Sequence, residues 1–361
     1  MSPMKNVQDL MQSAVSEGVF PGGVLLVSQQ GDVRIHQAFG QADLTTGTPV
    51  STRTVFDLAS LTKPLATTLA VLTLMERDQL TLDHTLGDFM IPCRGTDKAD
   101  ISIRHLLYHN SGLPDYRPYF KELARETPSK RRESMLTKIL DEPLAYPVGE
   151  KVVYSDLGYM LLRGLVEIAS GSRLNDIVQH DIYCPLKLRD LFFVDVDKPL
   201  PSDRFAATEN CPWRKALIQG VVSDENAYVV GGVDGHAGLF GTAADIHGLL
   251  LEILNTYSGS SSHHIFQPDL MREFLDYGKG TERALGFDRP AVKGPSSGSG
   301  FSQNSVGHLG FTGTSFWMDL DRSIIIILVT NRVHPSRDNE KIRDFRPTLH
   351  DAVMETLLKR L

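Results

Sequence analysis

Cysteine is scarce in this chain: Cys93, Cys184 and Cys211 are the only three in 361 residues, and no two form a CxxC pair. An odd, dispersed set argues against a disulfide framework and for a reducing compartment. Long apolar runs are missing as well. The longest aliphatic stretch, IIIILV at 324–329, is far too short to span a bilayer. The opening, MSPMKNVQDLMQSAVSEG, lacks the apolar core of a signal peptide and reads as an amphipathic helix, so the expected location is the cytoplasm. Neither sign of charge dominates. A net charge of −7 gives no reason to expect nucleic acid or an anionic membrane as partner. The glycine-rich GGVDGHAGLFG fits no phosphate-loop pattern, and no metal or organic cofactor is implied. His105 and His109 have the i, i+4 spacing that suits zinc. With no third ligand and no H-E-x-x-H, a structural role is expected for them.

What is present is an ordinary globular composition, 41% hydrophobic and 22% charged, in a chain longer than one compact core usually supports. Two lobes are expected. After the first helix, GGVLLVSQQGDVRIHQAFG places two β-type runs around a tight turn, a hairpin signal. From about 80 to 240 the pattern is mostly helical. Strand signals return after about 282 in RALGF, VGHLGF, TSFWMDL and SIIIILVTN, before a closing helix, RPTLHDAVMETLLKRL. The loop KGPSSGSGFSQNS lies among them. The fold class is therefore α+β: an antiparallel β-sheet flanked by helices, with an inserted, mainly helical lobe. Residues 1–80 and 240–361 would form the discontinuous sheet domain and residues 81–239 the insert. The cleft between them is the natural place for a site.

In FDLASLTKPLATTLAVLTLM, residues 56–75, Lys63 is the single charge after Asp57. Burying an unpaired lysine costs several kcal/mol, so its presence needs a reason. If the helix starts near Ser60, Pro64 falls harmlessly in its first turn and Lys63 shares a face with Ser60. Burial and the positive end of the helix dipole would both lower the lysine pKa, giving an amine able to activate the serine. The tetrapeptide is weak evidence alone, since Ser2-Pro3-Met4-Lys5 has the same spacing and Ser60 also reads as an N-cap. A second piece is Tyr154-Ser155-Asp156, ahead of a helix that Gly171 should stop. Tyr154 is either a proton relay in the cleft or an apolar staple onto Tyr159, with Ser155 or Asp156 as the cap. The third is His308-Leu309-Gly310 on a late β-type run. A competing H-x-G, His236-Ala237-Gly238, reads as a loop.

Together S-x-x-K, a Y-S-N-like triplet and H-x-G resemble the serine β-lactamase and penicillin-binding-protein superfamily, especially its class C-like branch with family VIII esterases and D-aminopeptidases. FDLASLTK, IRHLLYHNSGLP, GHAGLFGTAAD and GFTGTSFWMD add to the likeness, which covers roughly residues 10–361. The resemblance implies a β-lactamase/transpeptidase-like fold. It implies Ser60 as the acylated nucleophile, Lys63 as its base and Tyr154 as the group that protonates the leaving group. It also implies an oxyanion hole from the N–H groups of Ser60 and Phe311, with His308 and Gly310 at the substrate. Two departures bear on specificity. Asp156 stands where the family has asparagine; it would favour the ammonium form of Lys63 unless it is protonated, shares a proton or faces away. His308 replaces a lysine and removes a permanent positive charge. Both changes make the cleft less positive, so neutral esters or amides are the expected substrates. Arg332 or His334 would be left to contact any carboxylate. The expectation is an acyl-enzyme serine hydrolase, most of all a carboxylesterase on small neutral esters. A β-lactamase or D-amino-acid peptidase is the alternative within that class, and a non-catalytic ligand-binding protein the alternative outside it.

Overall fold

The computed structural model describes residues 4–279 and 282–359; Ser2 of the second S-x-x-K tetrapeptide lies outside them. An eight-stranded sheet organises the molecule. Its spatial order is Thr48–Pro49, Asp32–Asp43, Gly22–Gln29, Ile324–Thr330, Ser315–Asp319, Ser305–Leu309, Phe287–Asp288 and Arg283–Ala284. Every pairing between neighbours is antiparallel. The Gly22–Gln29 and Asp32–Asp43 strands turn through Gln30 and Gly31, with φ of 54° and 83°, the positive values a two-residue hairpin turn needs. The Gly22–Gln29 strand then meets the Ile324–Thr330 strand, with Val24 opposite Val329 and Val27 opposite Ile326.

The unbroken IIIILV run follows from burial on both faces. Leu25, Val27, Ile326 and Leu328 pack beneath the helices Lys5–Ser16 and Ile342–Leu358. Val24, Leu26, Ile325 and Ile327 face the opposite way, into the larger core that includes the helix Ala243–Ser258. The middle of the chain supplies the helices Arg131–Asp141 and Asp156–Ser170 to that core. It also contains elements that its helical pattern hid: the strand Leu191–Phe193 and the hairpin Ala207–Cys211 with Ala216–Gln219. A small sheet of Phe56–Asp57, Leu239–Gly241 and Leu191–Phe193 ties the segment before Ser60 to this region.

The helix after Tyr154 starts at Asp156, capped by the Ser155 hydroxyl, and stops at Gly171, whose φ of 69° completes a left-handed C-cap. The segment around Ser60 differs from the expected simple helix. Ser60 sits in a 3-10 turn, Ala59–Leu61, followed by a wide π turn, Lys63–Thr67, and only then the α-helix Thr68–Glu76. Pro64 has no N–H to give a regular turn, and all of Lys63 to Leu74 is buried.

Candidate active site

The turn carrying Ser60 is braced from several sides. Ala59 takes φ of 48°, the left-handed region that a residue with a side chain enters only when its surroundings impose it. The Asp57 carboxylate accepts the Ala59 N–H at 2.9 Å and the Ser223 N–H at 2.7 Å. Burial pushes the Asp57 carboxyl up to about 6 against the effect of those two bonds. Thr312 and Thr314 donate their hydroxyls to the Asp57 and Leu58 carbonyls at 2.7 and 3.1 Å, which holds the turn after the late strand against the serine.

Lys63 is fully buried, and its Nζ reaches three oxygens: Ser60 Oγ at 3.1 Å, Asp156 Oδ1 at 2.7 Å and the His236 carbonyl at 3.3 Å. Burial lowers its pKa, but the Asp156 carboxylate and Tyr154 raise it more, and the outcome lies above that of an ordinary lysine. The expectation of a depressed Lys63 is therefore overturned. Its cause lies 93 positions away in Asp156, a partner the local helix argument left out. Asp156 does not face away; its side chain lines the cavity over Ser60.

Tyr154 stands over the same amine, its ring centroid 4.6 Å from Lys63 Nζ and its hydroxyl within hydrogen-bonding reach of Ser60 and Lys63. Burial raises its phenol pKa while the lysine pulls it down. The residues around it are tied to one loop. Val153 N–H donates to the His109 carbonyl at 2.8 Å, Ser155 N–H to His109 Nδ1 at 3.0 Å and Ser155 Oγ to the Pro114 carbonyl at 2.6 Å. His109 also stacks on the Tyr154 ring, centroid to centroid 4.6 Å. It is thus part of this site's frame, while His105 caps a helix through Ser102.

His308 is buried and its pKa is lowered to about 4, chiefly by burial, so it is neutral at physiological pH. Its Nδ1 lies 2.8 Å from the Leu309 carbonyl, which fixes the proton on Nδ1. Gly310 donates its N–H to the Thr314 carbonyl at 2.7 Å. A Cβ there would come 2.0 Å from Thr314 Oγ1 and 2.6 Å from the Leu58 carbonyl. Phe311 follows at the exposed tip of this turn. Arg332 lines the cavity, yet its guanidinium donates to the carbonyls of Phe311, Arg337 and Asn339 and stacks 4.9 Å from the Phe311 ring. It holds the Phe311 turn in place. His334 is committed elsewhere, accepting the Leu44 N–H at 3.1 Å.

These groups border one cavity of about 650 Å³, with Ser60, Tyr154, Asp156, His236, His308 and Phe311 in its wall. His236, read from sequence as a loop element, thus belongs to the site. Its imidazole pairs with Asp224 at 2.9 Å, which raises its pKa against the effect of burial. Arg343 and Arg346 also border the cavity. Among the described residues, one group has metal-ligand spacing: Glu209, Cys211 and Glu225. Arg337 pairs with both glutamates at 2.6 and 2.8 Å and already supplies the positive charge a cation would bring.

This arrangement sets a hydroxyl beside a lysine and under a phenol, a combination suited to acyl transfer. The sequence model of the Beta-lactamase family matches residues 5–347. The chain is 32% identical over 363 residues to an N-acetylmuramyl-L-alanine amidase of Bacillus subtilis (strain 168), covering 92% of this chain and 81% of that protein. Among solved structures it resembles EstCE1, a hydrolase with promiscuous acyltransferase activity, at a TM-score of 0.73 and 24% identity, over 96% of this chain and 98% of the other. The octameric penicillin-binding protein homologue from Pyrococcus abyssi matches at a TM-score of 0.73 and 18% identity, over 99% of this chain and 77% of the other. At such identities the two structures speak for the fold alone. Family match and relative together show that the chain belongs to the beta-lactamase family and is a serine hydrolase of that fold.

Proposed function

We propose that this hydrolase cleaves small neutral esters through an acyl-enzyme on Ser60, in a cleft between a sheet domain of residues 1–80 and 240–361 and the helical lobe of residues 81–239. The observation that carries the reading is the 3.1 Å contact between Lys63 Nζ and Ser60 Oγ beneath an open cavity. Ser60 Oγ attacks the ester carbonyl as its proton passes to Lys63. The N–H groups of Ser60 and Phe311 receive the developing oxyanion; among the described residues neither takes part in a turn or loop hydrogen bond. Tyr154, in reach of both Ser60 and Lys63, returns a proton to the departing alcohol. Water then repeats the sequence in reverse and frees the acid.

Neutral substrates are favoured because His308 carries no charge at physiological pH. A second reading, an amide or D-amino-acid peptide bearing a carboxylate, draws on Arg343 and Arg346 beside the same cavity and on the amidase relative. The test is hydrolysis of a short-chain p-nitrophenyl ester series by the wild type and by Ser60→Ala, alongside D-dipeptides and a β-lactam. Ester turnover abolished by the substitution is the expected result. Turnover of the peptides alone would transfer the conclusion to the second reading.

A further inference from the structure

Lys63 Nζ hydrogen-bonds to Ser60 Oγ, Asp156 Oδ1 and the His236 carbonyl, with the Tyr154 hydroxyl a fourth oxygen in reach, so every N–H of an ammonium ion has an acceptor. An ammonium in that setting has no lone pair for the serine proton. Removing a proton to bulk water is opposed by the carboxylate 2.7 Å away in a fully buried site. The same carboxylate offers another route, because a proton that crosses from Nζ to Oδ1 leaves the pair with no net charge either way.

We propose that Asp156 is the terminal proton acceptor of a Ser60–Lys63–Asp156 relay, and that its exchange for the family's asparagine is a working part of this enzyme. The inference rests on the Ser60 acylation described above. One Nζ–H passes to Asp156 Oδ1, leaving a neutral amine and a carboxylic acid. A third of a turn about Cε–Nζ brings the vacated position toward Ser60. The Oγ–C bond to the substrate then forms while the Oγ proton moves to Nζ, so that Lys63 is again ammonium and Asp156 is protonated. When the C–O bond of the ester breaks, the leaving oxygen takes the Tyr154 proton. Tyr154 is refilled from Lys63, and Asp156 returns its proton to Nζ. The pair ends with the protons it began with.

The surroundings suit this exchange. The Lys63 side chain is fully buried while that of Asp156 is about 20% exposed, so the acid end alone meets the cavity. The other titratable groups around Nζ are Tyr154 and Tyr159, whose rings lie 4.6 and 5.6 Å away, and His236, paired with Asp224. His109, His308 and Arg283 contribute their fields; the two histidines are held neutral by burial. Asp156 is the one carboxylate in contact with the amine among the described residues.

The test compares wild type, Asp156→Asn and Asp156→Glu between pH 5 and 10, following both ester turnover and the rate of Ser60 labelling by a fluorophosphonate, with thermal melts as the folding control. The relay predicts a wild-type rate that is level through neutral pH. It predicts a rate at pH 7 at least tenfold lower in Asp156→Asn, with the acid limb moved to higher pH, and a level profile regained in Asp156→Glu. An asparagine variant that equals or outruns the wild type at pH 7 would overturn the proposal. So would a wild-type rate still climbing above pH 9, or a variant slowed without any change of profile. If Ser60 is labelled but no ester turns over, the substrate assignment fails and the labelling profiles still decide the relay. If Ser60 is not labelled at all, both fall.

Discussion

Gly310 is where a single atom matters most. Its missing Cβ lets the Phe311 turn lie against Leu58 and Thr314, and an added methyl would meet Thr314 Oγ1 at 2.0 Å. Gly310→Ala therefore has to push the Phe311 N–H away from the substrate carbonyl. The loss of one oxyanion donor lowers kcat by roughly 10²-fold, which steady-state ester kinetics would register. Gly310 is itself buried and an added carbon would also meet the Leu58 carbonyl at 2.6 Å, so the melting temperature should fall together with the rate. Arg332 belongs to the same scale. Its guanidinium spends its hydrogen bonds on Phe311, Arg337 and Asn339, so it shapes the turn from behind.

At the scale of the element, the short stretch from Val153 to Asp156 places a phenol and a carboxylate on one amine. Ser155 anchors it, donating to Pro114 and accepting the Gly158 N–H at 3.3 Å to begin the following helix. Ser155→Ala removes the cap and leaves the Pro114 carbonyl to find another donor. A loss of about 1–2 kcal/mol is expected in urea denaturation, together with a fall in kcat as Tyr154 loosens. This helix was legible in the sequence, since its apolar period and its Gly171 stop are local signals. The Ser60–Lys63 contact was legible for the same reason. What escaped was carried by distant partners or by backbone that composition does not mark. His109 against Tyr154 and the His236 carbonyl on Lys63 join residues far apart in sequence. The left-handed Ala59 and the π turn at Pro64 have no periodic signature. The sequence named Asp156 as a group that would favour the ammonium form of Lys63 but could not place its side chain; the 2.7 Å contact decides against the depressed lysine that the helix dipole and burial suggest.

For the whole molecule, buried histidines shape the acid side of stability, His308 and His350 beside His109, which burial likewise holds well below its ordinary value. His308 and His350 both have pKa values lowered from 6.5 to about 4, mainly by burial. Between those values the unfolded chain binds protons that the folded chain refuses, so stability falls as pH drops from 6.5 toward 4 and levels off below. Each contributes a loss of roughly 3 kcal/mol over that window. Melts from pH 7 to 4 should show it, and His350→Gln should flatten the slope without touching the catalytic cavity. Molecular scale also governs how the fold is reached. The Gly22–Gln29 strand lies between its hairpin partner and the Ile324–Thr330 strand, and Val24 pairs with Val329, 305 positions later. At synthesis rates of 5–20 residues per second the first strand waits ~15–60 s for that neighbour. During this interval one edge of an apolar hairpin stays open, and a nascent chain stalled there offers a template to any other strand nearby. Yield in cells should therefore respond to translation speed and to holding chaperones more than the stability of the finished protein would suggest.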